Sequence, residues 1–143
     1  MLSIEGIGHT MPCGKLSVFH RGSLERIEKT MWKNVGYYNG TIGPLEEITV
    51  PMGDRALYFG DGIYEATCVA NRVPFALDDH LDRMYNSLRL LEIPFTMERD
   101  QVKAELQKVI DAAEPSPIHF LYWQISRGVA MRNHPFPTDA EPT

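Results

Sequence analysis

His80 and Arg83 lie three residues apart in a leucine-patterned run, and Arg132 and His134 lie two apart in a proline- and glycine-rich loop. On a helix, the first spacing places both side chains along one flank of the apolar stripe, at the border between core and solvent, where an anion can be held. An isolated arginine at such a border would equally snorkel, its stem on the stripe and its head in water. Arg132 and His134 come just after Ser126-Arg127-Gly128 and an apolar segment. A rigid strand that runs into an irregular loop is a common support for binding residues. A guanidinium is a planar fork that fits a carboxylate bidentately, and a neighbouring imidazole adds a further donor. Taken alone, this pair also fits a solvated loop.

Between these pairs and the N-terminus runs Phe59-Gly60-Asp61-Gly62-Ile63-Tyr64-Glu65, in which two glycines bracket an acid ahead of a β-rich segment that presents a tyrosine. A dinucleotide-binding loop needs a third glycine and a following helix, and neither is present. The segment looks like the floor of a small-molecule site, although taken alone it fits better a strand entered through a tight Gly-Asp-Gly turn with no chemistry attached. Other chemistries find little support. No G-x-S-x-G elbow occurs, and His9, His20, His80, His119 and His134 show no spacing that would bring two imidazoles onto one metal. His119 falls in an apolar run and reads as a hydrogen-bonded core residue. The adjacent acids Glu46-Glu47 and Asp78-Asp79 read as turn and capping residues rather than a facing catalytic pair.

The elements that must carry these residues can be read from periodicity. Asn39-Gly40 between Tyr37-Tyr38 and Thr41-Ile42 predicts a type I′ hairpin. Ile63 to Ala70 and Val73 to Ala76 predict a second strand pair, joined at Asn71-Arg72, where Arg is a poor turn residue. Leu77, Leu81, Met84, Leu88 and Leu91 recur at spacings of four and three, with Asp78 as cap, and predict an amphipathic helix that ends before Pro94. A second helix is predicted with Thr96 as its cap, Glu98 and Asp100 near its positive end, and Val102, Leu106, Val109, Ile110 and Ala113 on its buried face, until Pro115 and Pro117 stop it. Ile118 to Ser126 is apolar at both alternations and is expected to be a strand covered on both sides. Residues 1–33 read as an N-terminal extension with a possible short helix over Ser23 to Trp32, and residues 34–143 read as one α+β unit.

Composition sets the remaining bounds. With 143 residues, 43% hydrophobic and 23% charged, the chain matches one soluble globular domain with a real core. A net charge of -5 leaves no basic stripe for nucleic acid and no polybasic segment for a membrane surface. The absence of a long apolar run and of a signal-like N-terminus points to a cytoplasmic protein. Cys13 and Cys68 form no metal-ligand cluster and are expected to be reduced thiols.

Taken in order, Asp54-Arg55, Phe59 to Glu65, His80-Leu81-Asp82-Arg83, Ser126-Arg127-Gly128 and Arg132-Asn133-His134 resemble the N-terminal part of the class IV, or fold type IV, pyridoxal-phosphate enzymes, from about Val35 to Pro137. That group contains D-amino acid aminotransferases, branched-chain aminotransferases and aminodeoxychorismate lyases. The resemblance implies a small N-terminal domain, a mixed β-sheet packed with two helices, with the C-terminal domain absent. It implies that Arg83 binds the phosphate of pyridoxal 5'-phosphate and that Tyr64 faces the substrate carboxylate. Arg132 and His134 match the Arg-x-His pair that completes the carboxylate trap from the neighbouring subunit of a homodimer in D-amino acid aminotransferases. The branched-chain enzymes and the lyases do not usually carry that pair, which favours a D-amino acid donor and a 2-oxo acid acceptor. In the family, the Schiff-base lysine and the glutamate that meets the pyridine nitrogen lie beyond Thr143. Lys15, Lys29, Lys33, Lys103 and Lys108 are not at that position. The chain is therefore expected to be an inactive N-terminal fragment of an aminotransferase. A reading from another class is a lysine-free binding or dimerisation module.

Overall fold

The computed structural model describes residues 2–6 and 31–143. One six-stranded sheet organises it: β1 (Leu2–Gly6), β2 (Asn34–Tyr38), β3 (Thr41–Pro44), β4 (Gly62–Ala70), β5 (Val73–Pro74) and β6 (Ile118–Ser126), in the spatial order β3-β2-β1-β6-β4-β5. All five strand pairings are antiparallel. Among the described residues, a parallel component enters only as an isolated bridge between Trp32 and Ala113. Three helices accompany the sheet: α1 (Arg55–Phe59), α2 (Leu77–Leu90) and α3 (Arg99–Ala112). The architecture is thus α+β, as expected.

Residues 2–6 fall in the segment read as an N-terminal extension, yet their backbone pairs with both β2 and β6 near the middle of the sheet. The helix expected over Ser23 to Trp32 lies outside the described residues as far as position 30. Trp32 itself is extended and exchanges backbone hydrogen bonds with Ala112 and Glu114. Cys13 also lies outside the described residues, and Cys68 is a free, exposed thiol.

Both predicted turns form. Asn39 and Gly40 have φ of 44° and 86°, the pair of positive values that a type I′ hairpin needs. Asn71 and Arg72 are also left-handed, at 50° and 65°. The arginine, a poor choice for the turn itself, is explained by its reach: its guanidinium donates to the carbonyls of Ile110 and Ala113 and so covers the C-terminus of α3. The following strand is shorter than predicted, Val73–Pro74 rather than Val73 to Ala76, because Ala76 turns left-handed to begin α2.

Helices α2 and α3 cover one face of the sheet. Leu81, Met84 and Leu88 of α2 and Val102, Leu106, Val109 and Ile110 of α3 pack on Val35, Val69, Leu121, Trp123 and Ile125. Helix ends differ from expectation in instructive ways. Asp78 does not cap α2; it sits in the first turn and pairs with Lys103 across to α3 at 2.6 Å. The α3 cap is Glu98, not Thr96, and it forms a capping box in which the Gln101 side chain accepts from the Glu98 N–H at 2.8 Å. Leu91 is not on the buried stripe. It ends α2 in a Schellman turn, with Ile93 N–H donating to Leu88 O, Glu92 N–H donating to Arg89 O, and Glu92 left-handed at 53°.

The largest departure concerns β6. His119, Leu121, Trp123 and Ile125 face the helices and are buried, but the opposite face is open, with Ile118 and Phe120 exposed and Tyr122 only partly covered. Double-sided apolar patterning predicts two covers, and the described residues provide one. His119 behaves as read from sequence: buried, its Nε2–H donates to the Glu114 carbonyl at 2.9 Å.

Strand β4 starts against the end of β6 so closely that a Cβ on Gly62 would lie 2.7 Å from the Ile125 carbonyl oxygen. Because the obstruction is backbone, Gly62→Ala is expected to destabilise the fold by about 1–3 kcal/mol, read as a lower denaturation midpoint. An unchanged midpoint would mean that the two strands can separate there without loss.

Candidate functional site

Strand β4 alternates its side chains between the two faces of the sheet, and this decides how the site is built. Glu65 points to the helix side with a side chain only 2% exposed, whereas Tyr64 points to the open face. A buried carboxylate requires charged partners, and α2 supplies them. Arg83 donates from Nε and Nη2 to the two Glu65 oxygens at 2.7 and 2.5 Å, and His80 Nδ1 lies 2.8 Å from Oε2. The His80 ring meets Trp123 edge-on at 5.9 Å. Burial works to raise the Glu65 pKa, but hydrogen bonds and charge from Arg83 and His80 outweigh it and hold the carboxyl below its ordinary value. Arg83 is correspondingly raised, first by the hydrogen bond to Glu65 and then by its charge, with a smaller contribution from Tyr64.

The outcome is a guanidinium fixed along one edge only. The Arg83 side chain remains 66% exposed, and its Nη1 has no hydrogen-bond partner among the described residues. An anchored fork with a free outer edge can bind an oxyanion without first having to be ordered.

A second charged cluster forms at the Gly-Asp-Gly turn. Asp54 caps α1 by accepting from Ala56 N–H, and left-handed Gly60 closes the helix, its N–H donating to Ala56 O. Asp61 then accepts from Arg55 Nε at 2.6 Å and from Arg127 Nε at 2.9 Å. Both arginines are buried, and both also donate to backbone carbonyls: Arg55 Nη1 to Asn133, Arg127 Nη1 to Glu92 and Nη2 to Leu91. Burial pushes the Asp61 pKa up, yet hydrogen bonds from Arg127 and Arg55, with their charges, bring it below the ordinary carboxylate value. Sequence reading recognised the acid of this turn but not its partners. Arg55 sits in a five-residue helix too short for any periodicity, and Arg127 was read only as part of a motif.

Arg132 and His134 are exposed on the loop after β6, and both lie against the ring of Phe59, the last residue of α1. The Arg132 guanidinium carbon is 5.5 Å from the Phe59 centroid and the His134 ring is 5.7 Å away. Tyr64 stacks on Tyr122 across the open face at 5.6 Å. Burial, and then Tyr64, raises the pKa of Tyr122. Among the described residues, no hydrogen bond, ion pair or ring contact joins Tyr64 or Arg83 to Arg132 or His134. Arg132 and His134 thus share the Phe59 ring, whereas Tyr64 on the open face meets Tyr122 and Arg83 on the helix side meets Glu65.

Comparison with known proteins assigns this arrangement to a family. The model of the amino-transferase class IV family matches residues 62–143, which runs from the first residue of β4 through the Arg132 loop. The chain belongs to the class IV aminotransferases. A D-alanine aminotransferase from Bacillus licheniformis is 32% identical over 99 residues, covering 69% of this chain and 35% of the relative. Another, from Listeria monocytogenes serotype 4b (strain F2365), is 34% identical over 102 residues, covering 71% and 35%. Among solved structures, a 4-amino-4-deoxychorismate lyase from Pseudomonas aeruginosa matches with a TM-score of 0.54 at 26% identity, over 66% of this chain and 33% of that one. A branched-chain amino acid aminotransferase from Escherichia coli shares the fold, with a TM-score of 0.64 at 18% identity, over 73% and 35%. This class IV aminotransferase chain spans about a third of the length of the curated relatives it matches. Among its described residues, no helix is long and apolar enough to cross a membrane.

Proposed function

We propose that this chain supplies the cofactor-phosphate and substrate-carboxylate portion of a pyridoxal-phosphate-dependent aminotransferase. In this reading the enzyme is a cytoplasmic homodimer that moves the amino group of a D-amino acid to a 2-oxo acid. The observation that carries the reading is Arg83, held by buried Glu65 along one edge and open along the other. Pyridoxal 5'-phosphate fits what the residues offer, because a phosphate dianion needs a fixed, desolvatable fork and Arg83 is one. When bound, the cofactor supplies an electron sink for charge that develops at the substrate Cα. The chain's own residues bind and orient: Arg83 takes the phosphate, while Tyr64, Arg132 and His134 take the substrate carboxylate.

A D-amino acid as donor is supported by the Arg132-x-His134 pair and by the D-alanine aminotransferases among the relatives. Lys103 and Lys108 are committed to Asp78 and Glu105 on the wet side of α3, which supports the proposal that residues 1–143 alone do not transaminate. Sustained turnover by the pure 143-residue polypeptide would overturn that. Donor profiling tests the substrate class: D-alanine should react with 2-oxoglutarate or pyruvate, whereas a preference for L-leucine or for aminodeoxychorismate would move the assignment within the family. Borohydride reduction of the full-length enzyme of which this chain is proposed to be a portion, called the full chain below, followed by intact-mass measurement is expected to show a pyridoxyl adduct.

Arg132→Ala in the full chain is expected to raise KM for amino and 2-oxo acids by about tenfold or more, the weight of a charge-assisted contact. Cofactor affinity should hold. Loss of cofactor with unchanged KM would reverse the roles given to Arg83 and Arg132.

A further inference from the structure

Helix α1 is five residues long and ends at Phe59, and its sequence position says nothing of the loop some seventy residues later. In the fold the two are joined by backbone and side chain. Arg55 N–H donates to Gly128 O, Ala130 N–H donates to Gly53 O, and Asp54 bridges Val129, so the loop starts out sewn to the residues around the start of α1. Arg55 and Phe59 are four residues apart and share one face of the helix. The Arg55 guanidinium stacks on the Phe59 ring at 4.7 Å while Nη1 donates to the Asn133 carbonyl at 3.0 Å and Nε is held by Asp61 at 2.6 Å. Asn133 is the residue between Arg132 and His134, both of which rest on the same ring. His134 N–H in turn donates to the Asn133 side chain.

We propose that Phe59 and Arg55 are positioning residues for the Arg132–His134 pair, and that the Phe59 ring is the platform that gives these exposed side chains a defined direction. The inference deepens the carboxylate-binding role given above to Arg132 and His134 and rests on it. An exposed arginine and histidine on irregular backbone would otherwise be spread over many rotamers, and that spread would have to be removed each time substrate binds. A ring beneath both removes it in advance through cation–π and edge contacts, while Arg55 holds the peptide between them.

The position of the loop can be read without catalysis, because Arg132–Asn133 is a tryptic site. In the full chain, Phe59→Leu is expected to speed that cut by about tenfold through local opening and to raise KM for the amino and 2-oxo acids about fivefold with kcat held within about twofold. Phe59→Tyr, which keeps the ring, should restore both protection and KM. In an Arg132→Ala background, Phe59→Leu should raise KM by less than it does alone, since it then acts through His134 only. The buried Arg127–Gly128 bond is the control: if it opens too, the variant has lost its fold and Phe59→Met is read in its place. Unchanged cleavage at Arg132–Asn133 in Phe59→Leu overturns the platform. Faster cleavage with an unchanged KM supports the platform and overturns the carboxylate role, so the two failures are distinct.

Discussion

Asp61→Ala is expected to cost about 3–5 kcal/mol of folding stability, the range for removing one partner of a buried ion pair. The physical reason is what the substitution leaves behind. Arg55 and Arg127 are both buried against the Asp61 carboxylate, with Arg55 Nη1 already serving the Asn133 carbonyl and Arg127 Nη1 and Nη2 those of Glu92 and Leu91. Without the carboxylate, two guanidinium charges would face each other in a poorly solvated site. Against a total stability of roughly 5–15 kcal/mol for a domain, such a loss approaches unfolding. Asp61→Asn keeps the shape and one acceptor and should lose less. Denaturant titration measures both, and a loss below about 1 kcal/mol for alanine would mean that water reaches the cluster freely.

The two buried carboxylates, one in each cluster, have a pH signature. Asp61 and Glu65 both titrate below their ordinary values in the folded chain. Their contribution to stability is therefore fully present above the ordinary carboxylate pKa and is lost as pH falls through the lower, folded values. Stability should decline on acidification below about pH 4, with a shallower decline in Asp61→Asn. A steeper decline in that variant would contradict the assignment.

Arg83→Ala in the full chain is expected to weaken pyridoxal 5'-phosphate binding by about 10- to 100-fold, as loss of a charge-assisted hydrogen bond implies. Two effects act together. The outer edge of the guanidinium is removed, and Glu65, buried behind it, keeps only His80 as a partner among the described residues and turns its negative charge toward the phosphate. Arg83→Lys should rescue little, since one ammonium cannot span both Glu65 oxygens and still present a second donor edge outward. Absorbance titration of the cofactor reads the effect directly. An unchanged dissociation constant would remove Arg83 from the phosphate site and with it the central support for the proposed function.

The elements that were legible in the residues are those governed by local physics. The Asn39-Gly40 hairpin follows from two positions that tolerate positive φ, and α2 and α3 follow from apolar residues repeating every three or four. The flank position of His80 and Arg83 is likewise a property of helical spacing. Capping was harder to read, because Asp78, Thr96 and Glu98 are all competent acceptors and the local backbone selects among them. Arg72 looked misplaced in its turn until the C-terminus of α3 came within its reach.

The partners that make the site were not legible, because each pairing crosses the chain. Glu65 meets Arg83 across eighteen positions, Asp61 meets Arg127 across sixty-six, and Arg55 meets the Asn133 carbonyl across seventy-eight. Spacing along a helix or strand sets which side chains share a face, since that depends only on repeating backbone angles. Which buried acid receives which arginine depends on sheet order, and on the need that a charge taken out of water be met by another. Those pairings exist only once β4, β6 and α2 have packed together.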